Sequence, residues 1–252
     1  PRLPYVVMEL ALGQSLVQVT HHSSASAGCL GEGEQQLISR QAAEALVYLN
    51  RFGLIHRDFR GANMYFAGRG CGLSLQVLDL GLAIAADDGL RNNNNLVVRS
   101  SWNKPGREFD WVPPEAKLGK PRPNFALPAY SFDVYSLAVL VLRLRGGKKW
   151  TRRILKCTED PSNLEKRSDA LLHRGFADSY RQMLEQMLGP PEQRPHPQQV
   201  VQCLDAMTVL QSKRPLEADA AEQSFKRVHR ERATGEHVYS SEDVSGIVCE
   251  KK

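Results

Sequence analysis

Between Asp133 and Leu144 the chain is apolar almost all the way round a helical turn, and Leu137 to Leu142 is its longest uninterrupted apolar run. A helix with no polar face must be surrounded by other elements, so this segment predicts a helix at the centre of a mainly helical domain. The run is far short of the roughly 18 residues that a membrane span needs, and no such span is expected. With 252 residues the chain is long enough to build the surrounding shell, as one large domain or two small ones. Its 42% hydrophobic, 24% charged and 7% aromatic residues exclude a wholly disordered or fibrous chain.

Around that centre, Ile38, Ala42, Ala45, Leu46 and Leu49 recur at helical spacing and predict a helix over Glu34 to Asn50, ended by Gly53. Two further amphipathic helices are expected, from about Ala177 to Leu188 and from about Pro197 to Leu210. Leu3 to Leu10 reads as a strand entering a turn at Gly13, and Leu73 to Leu78 alternates as a second strand. His21 to Gly33, rich in Ser, Ala and Gly, reads as a loop, as does Leu82 to Trp111 with its run Asn92 to Asn95. The pair His21-His22 has no third ligand nearby, so a solvated loop is expected there rather than a metal site. Beyond Lys213 the chain turns polar, which divides it into a domain over 1–212 and a disordered tail over 213–252.

Lys plus Arg number 33 against 28 for Asp plus Glu, a mild excess that permits acidic partners without implying nucleic acid. Arg143, Arg145, Lys148, Lys149, Arg152, Arg153 and Lys156 follow one another with no acid between them. Such a run reads as a solvated loop and helix face, or as a docking patch for acidic peptide. Nucleic acid is not expected, since Trp150 alone interleaves it with an aromatic ring. The five cysteines are scattered, with no CxxC pair, which argues against zinc and for reduced thiols in an intracellular, cytoplasmic setting. The chain opens Pro1-Arg2-Leu3-Pro4 without an initiator Met and so reads as a piece of a longer protein.

The residues that carry chemistry begin with Leu54-Ile55-His56-Arg57-Asp58-Phe59-Arg60-Gly61-Ala62-Asn63, after a helix and before the apolar Met64-Tyr65-Phe66. Sixteen residues after Asn63 comes Asp79-Leu80-Gly81 at the end of a strand. Trp111-Val112-Pro113-Pro114-Glu115, Ser131-Phe132-Asp133-Val134-Tyr135-Ser136-Leu137 and Gln193-Arg194-Pro195 follow. Taken in order, these resemble the catalytic loop H-R-D-x-x-x-x-N, the D-F-G, the A-P-E box, the buried-helix signature and the late R-P turn of eukaryotic-type protein kinases. Tyr5 to Ala11 resembles the strand and hinge that receive adenine. The resemblance covers Tyr5 to about Leu210 and implies a two-lobed α+β fold, of which this chain is the hinge and the helical C-lobe with a short N-terminal strand. No Gly-rich loop or strand-borne lysine precedes it, so the N-lobe is missing and the piece alone is expected to be nearly inert.

What the resemblance implies for the site follows the needs of phosphoryl transfer with ATP and Mg²⁺ as cofactors and a protein as substrate. Asp58 would orient the substrate hydroxyl, Asn63 and Asp79 would hold the metal, and Arg60 joins Asp58 and Asn63 as a catalytic residue. Met8, Glu9, Ala11 and Ser15 would line the nucleotide at the hinge. His56, Gly81, Glu115, Asp133 and Arg194 would be structural, with Glu115 and Arg194 as a buried ion pair and Asp133 bracing the catalytic-loop backbone. Arg57 would be an uncompensated cation beside Asp58, answered by phosphate on Ser100 or Ser101 as a regulatory switch, or by Glu108 as a built-in acid.

Several residues depart from the family pattern. Arg60 stands where serine/threonine kinases carry Lys, and Arg60 with Trp111 leans toward tyrosine kinases. Yet Asp79 to Glu115 holds no Tyr to receive an activating phosphate, so serine/threonine and tyrosine specificity both stay open. Tyr65 falls where an aliphatic residue floors the adenine pocket. Two rival classes remain: a catalytically silent kinase-like scaffold, and a small-molecule phosphotransferase, against which Pro114-Glu115, Asp133 and Arg194 speak.

Overall fold

The helix that the apolar run predicts is there, and it is longer than predicted. Ser131–Thr158 form one helical element in which every residue from Ser131 to Leu142 is buried. The computed structural model of the chain describes residues 9–21, 30–68, 70–86, 109–117, 127–158, 168–171 and 178–212. In chain order its elements are β1 (Gln14–Ser15), α1 (Leu16–His21), α2 (Glu32–Arg51), β2 (Leu54–Ile55), β3 (Met64–Ala67), β4 (Ser74–Val77), β5 (Ile84–Ala85), α3 (Ser131–Thr158), α4 (Asp178–Leu188) and α5 (Pro197–Ser212). Single 3-10 turns lie at Gly61–Asn63, Gly70–Gly72, Pro114–Ala116 and Pro191–Gln193.

Helices α1, α2 and α4 pack around α3. From α2 the buried face is Ile38, Ala42, Ala43 and Leu46, the helical spacing seen in the sequence. Gly53, at φ 63°, takes the left-handed position that ends the helix, and its N–H donates to the Asn50 carbonyl at 3.0 Å. Gln41 on α2 ties the helix to the sheet with both ends of its amide. Its Nε2 donates to the Leu73 carbonyl at 2.8 Å, and its Oε1 accepts from the Leu75 N–H at 2.7 Å.

The strands form two small antiparallel sheets. One has the order β1-β3-β4, with Ser15 opposite Tyr65 and Met64 opposite Val77; the other pairs β2 with β5, Ile55 opposite Ile84. The hairpin β3-β4 and the link from β2 to β3 place the candidate site.

Four expectations change. The strand expected over Leu3 to Leu10 lies mostly outside the described residues, and residues 9–12 carry no regular structure. The strand sits instead at Gln14–Ser15, because Gly13 at φ 101° brings the backbone so close to β3 that a Cβ there would lie 2.1 Å from the Phe66 oxygen. Before the loop expected over His21 to Gly33 lies an unexpected helix, α1, whose Leu16 is fully buried; six residues are too few to display a 3.6-residue period. The loop expected from Leu82 opens with β5, since Ile84 and Ala85 find a partner strand in β2 that no local pattern announces. Finally, the helix expected to stop at Leu144 runs on to Gly147, whose φ 71° and ψ 178° are not helical, and a second helical stretch follows to Thr158. The basic run therefore lies on two helical stretches that meet at Gly147. Contacts divide the chain into Pro1–Met207 and Thr208–Lys252, and the expected tail over 213–252 lies outside the described residues.

Candidate active site

Asn63 ends the 3-10 turn that enters β3, and Asp79 follows β4 by two residues. Because β3 and β4 pair antiparallel with Met64 opposite Val77, both residues come to the same end of one hairpin. The Leu78 N–H donates to the Asn63 carbonyl at 2.8 Å and closes that end. Asp79 is exposed and adopts φ 64°, a left-handed conformation rare outside Gly, Asn and Asp. Its Oδ1 accepts from the Gly81 N–H at 3.1 Å. A Cβ on Gly81 would lie 2.9 Å from that same Oδ1, so a side chain there would push the Asp79 carboxylate from this position.

Asp58 is 6% exposed, and its carboxylate is fixed from two sides. The Asn63 amide nitrogen donates to the Asp58 carbonyl at 2.9 Å and to Asp58 Oδ2 at 2.8 Å. Both amide hydrogens of Asn63 thereby face acceptors, which leaves its Oδ1 as a lone-pair donor. Arg60 Nε lies 2.9 Å from Asp58 Oδ1, an ion pair whose N–H does not point along the contact. The Arg60 guanidinium also sits 4.5 Å above the Trp111 ring, a cation–π contact that holds the side chain between Asp58 and Trp111.

Beneath this loop, Asp133 of α3 holds two successive backbone N–H groups. His56 N donates to Oδ2 at 2.7 Å and Arg57 N to Oδ1 at 2.9 Å. Arg57 sits at φ 64°, and its N–H is one of the two that Asp133 accepts. Complete burial raises the Asp133 pKa, against the opposing pull of those two hydrogen bonds. The fully buried His56 ring joins the loop to the hairpin: Asp58 N–H donates to Nδ1 at 3.3 Å, while Nε2 faces the Leu78 carbonyl at 3.2 Å. An accepting Nδ1 puts the ring proton on Nε2. Leu78 thus binds both His56 and Asn63 through its backbone alone, a role that no side-chain motif could reveal.

The segment 109–117 is fastened to the helical core at three points. Arg194 reaches Glu115 with Nη1 to Oε1 at 2.5 Å and Nη2 to Oε2 at 3.0 Å, and it also donates to the Gly189 and Ser131 carbonyls at 3.0 Å each. Ser136 Oγ donates to the Trp111 carbonyl at 2.7 Å. Asp110, 9% exposed, takes Arg143 at 2.8 Å and Arg152 at 3.7 Å on one carboxylate oxygen. Ser136 and Asp110 went unassigned in the sequence, although Ser136 lies inside the buried-helix signature.

The model of the protein kinase domain family matches residues 2–204. The chain belongs to the protein kinase family. Among curated relatives it is 34% identical over 87 residues to "Probable serine/threonine-protein kinase PknB" of Bifidobacterium longum, a match over 34% of this chain and 12% of that protein. It is 29% identical over 145 residues to "Serine/threonine-protein kinases drp72" of Corynebacterium efficiens, over 58% of this chain and 24% of that protein. The matched part therefore spans no more than a quarter of either relative's length. The crystal structure of the Rad53 kinase domain and SCD2 in complex with AMPPNP superposes at a TM-score of 0.47 and 19% identity, over 77% of this chain and 66% of that one.

Of the expected hinge positions, Met8 lies outside the described residues, Glu9 is exposed and Ala11 half-buried without regular structure. Ser15 is paired in β1, where its N–H donates to the Gln18 amide oxygen at 3.2 Å. Ser100, Ser101 and Glu108 also lie outside the described residues. The expectation that Arg57 is an uncompensated cation is corrected in part: its Nε donates to the Leu82 carbonyl at 2.6 Å, because the left-handed turn aims the side chain at the segment after Gly81. The basic run is corrected too, since Arg143 and Arg152 turn inward onto Asp110 and Arg145 pairs with Glu32. No helix among the described residues is long and apolar enough to cross a membrane. Nor do the described His, Cys, Asp and Glu form a cluster of three that could hold a metal. The donors that fit Mg²⁺ are the Asp79 carboxylate and the Asn63 amide oxygen, both of the hard oxygen type that this cation prefers.

Proposed function

We propose that this kinase domain transfers the γ-phosphate of ATP to a Ser or Thr hydroxyl of a protein substrate, with Tyr as the alternative acceptor. The observation that carries the reading is the pair Asp58–Asn63. One carboxylate is held in place by the very amide whose oxygen would be left to hold a metal. Asp58 would accept and orient the hydroxyl proton, and Arg60 would place positive charge beside the transferring group. Asn63 and Asp79 would hold Mg²⁺, which supplies charge neutralisation on the β- and γ-oxygens. Serine/threonine kinases among the relatives favour Ser/Thr, whereas Arg60 stacked on Trp111 favours Tyr.

The test uses the full-length protein with Ser/Thr and Tyr peptides. Asp58→Asn and Asp79→Asn should each abolish transfer, and Asp79→Asn alone should also weaken Mg·ATP binding in a nucleotide titration. The scaffold reading expects neither substitution to change any activity, and that result would decide for it.

A further inference from the structure

Beyond the kink at Gly147, the second half of α3 has a sharply divided surface. Trp150, Thr151 and Ile154 are buried, while Lys148, Lys149, Arg153 and Lys156 are exposed and Arg152 is half-buried at the margin. Positions 148, 152 and 156 are four apart, as are 149 and 153, so these five cations share one helix face about 12 Å long. Like charges at that spacing repel one another and weaken the helix, so the stripe is not there for stability. Among the described residues, Lys148, Lys149, Arg153 and Lys156 have no ion pair.

A chain of contacts joins the stripe to the candidate active site. Asp58 meets Arg60, Arg60 covers Trp111, and the neighbouring Asp110 meets Arg152 on the stripe and Arg143 before the kink. Among the described residues, Asp110 is the acid that these arginines meet, and two guanidiniums share it.

We infer that the exposed face of α3 formed by Lys148, Lys149, Arg153 and Lys156 is a docking surface for an acidic stretch of the protein substrate, extending the recognition surface beyond Asp58. The occupant is chosen by charge complementarity: four exposed ammonium and guanidinium groups with no internal acid fit a run of Asp and Glu carboxylates. A nucleic acid fits less well, because the face carries no exposed aromatic ring on which bases could stack; Trp150 is buried. This inference rests on the kinase reading for its meaning, but docking does not depend on catalysis.

The experiment titrates the full chain against two fluorescent peptides with the same acceptor hydroxyl, one carrying a Glu/Asp run and the other with those acids replaced by Gln and Asn. Anisotropy should show tighter binding of the acidic peptide, and the preference should shrink as salt rises from about 50 to about 300 mM. Lys149→Glu/Arg153→Glu should weaken that binding by about tenfold or more, and Lys149→Ala/Arg153→Ala should weaken it less, with unchanged far-UV circular dichroism. Asp58→Asn should leave the docking intact. Should that variant also leave activity intact while docking persists, the kinase reading fails and the surface stands. Equal affinity for the two peptides, or acidic binding unmoved by both double variants, overturns the inference. So does equally tight, equally variant-sensitive binding of duplex DNA or phosphatidylserine vesicles, which would make the face a general polyanion surface.

Discussion

Arg194 is the residue whose removal the structure prices most clearly. Its side chain is 1% exposed and makes two contacts to Glu115 and one each to the Gly189 and Ser131 carbonyls, with the guanidinium 5.1 Å from the Tyr135 ring centre. Arg194→Ala leaves the Glu115 carboxylate, itself 12% exposed, facing an empty space, together with two carbonyls that lose their donor. Stranding one member of such a pair costs about 3–5 kcal/mol. For a domain of this size each kcal/mol moves Tm by roughly 2–4 °C, so a fall of roughly 6–20 °C is expected. Glu115→Leu/Arg194→Met removes both charges and refills the volume, and it should lose far less than the sum of Glu115→Leu and Arg194→Met. Urea unfolding followed by circular dichroism gives the four corners of the cycle. A loss below about 1 kcal/mol for Arg194→Ala, or additive losses across the cycle, would refute the account of a desolvated, mutually dependent pair.

Three further outcomes are expected. Burial raises the Asp133 pKa, so the folded chain keeps that proton to higher pH than the unfolded one; this contribution is fully present below the ordinary value of 3.8 and is lost as pH rises through the folded value. The stability difference, wild type minus Asp133→Asn, should therefore fall as pH rises above 3.8 in urea titrations, and a rise would show that the two backbone N–H bonds outweigh desolvation. Gly13→Ala places a Cβ 2.1 Å from the Phe66 oxygen at φ 101°, which should cost roughly 1–3 kcal/mol and release β1 from β3, read as lost hydrogen-exchange protection at the strand. Nothing lies within 4 Å of a Cβ on Gly147, so Gly147→Ala should cost only the backbone strain of φ 71° with ψ 178°, a region essentially confined to glycine, about 1–3 kcal/mol, and Gly147→Asn should cost as much; a clearly smaller loss for Asn in urea would refute that origin.

Much of the site was legible because its letters are fixed by chemistry at fixed offsets. Asp58, Asn63 and Asp79 bear the carboxylate and amide oxygens that the proposed phosphoryl transfer would use, and the strand between Asn63 and Asp79 could be read from the alternation of Leu73 to Leu78. Glu115, Asp133 and Arg194 sit far apart in the chain, yet each belongs to a recognisable string. The backbone was harder to read. Arg57 and Asp79 both adopt φ 64°, and neither residue type announces it. Short elements such as α1, β1 and β5 owe their existence to a partner surface, with Leu16 sealed in the core and Ile84 opposite Ile55, so local sequence carries little trace of them.

The basic run shows why charge pattern alone misleads. On an uninterrupted helix, Arg143 and Arg152 are nine residues apart and fall about 180° from each other, on opposite faces. No reading of a straight helix would send both to one carboxylate. Gly147, held at φ 71°, resets the helical phase between them and lets Arg143 from the first half and Arg152 from the second meet on Asp110. The same reset turns Trp150 and Ile154 into the core and leaves Lys148, Lys149, Arg153 and Lys156 outward. A single glycine thereby splits one run of like charges into two populations: arginines that anchor the segment carrying Trp111, and an exposed stripe with no acid of its own.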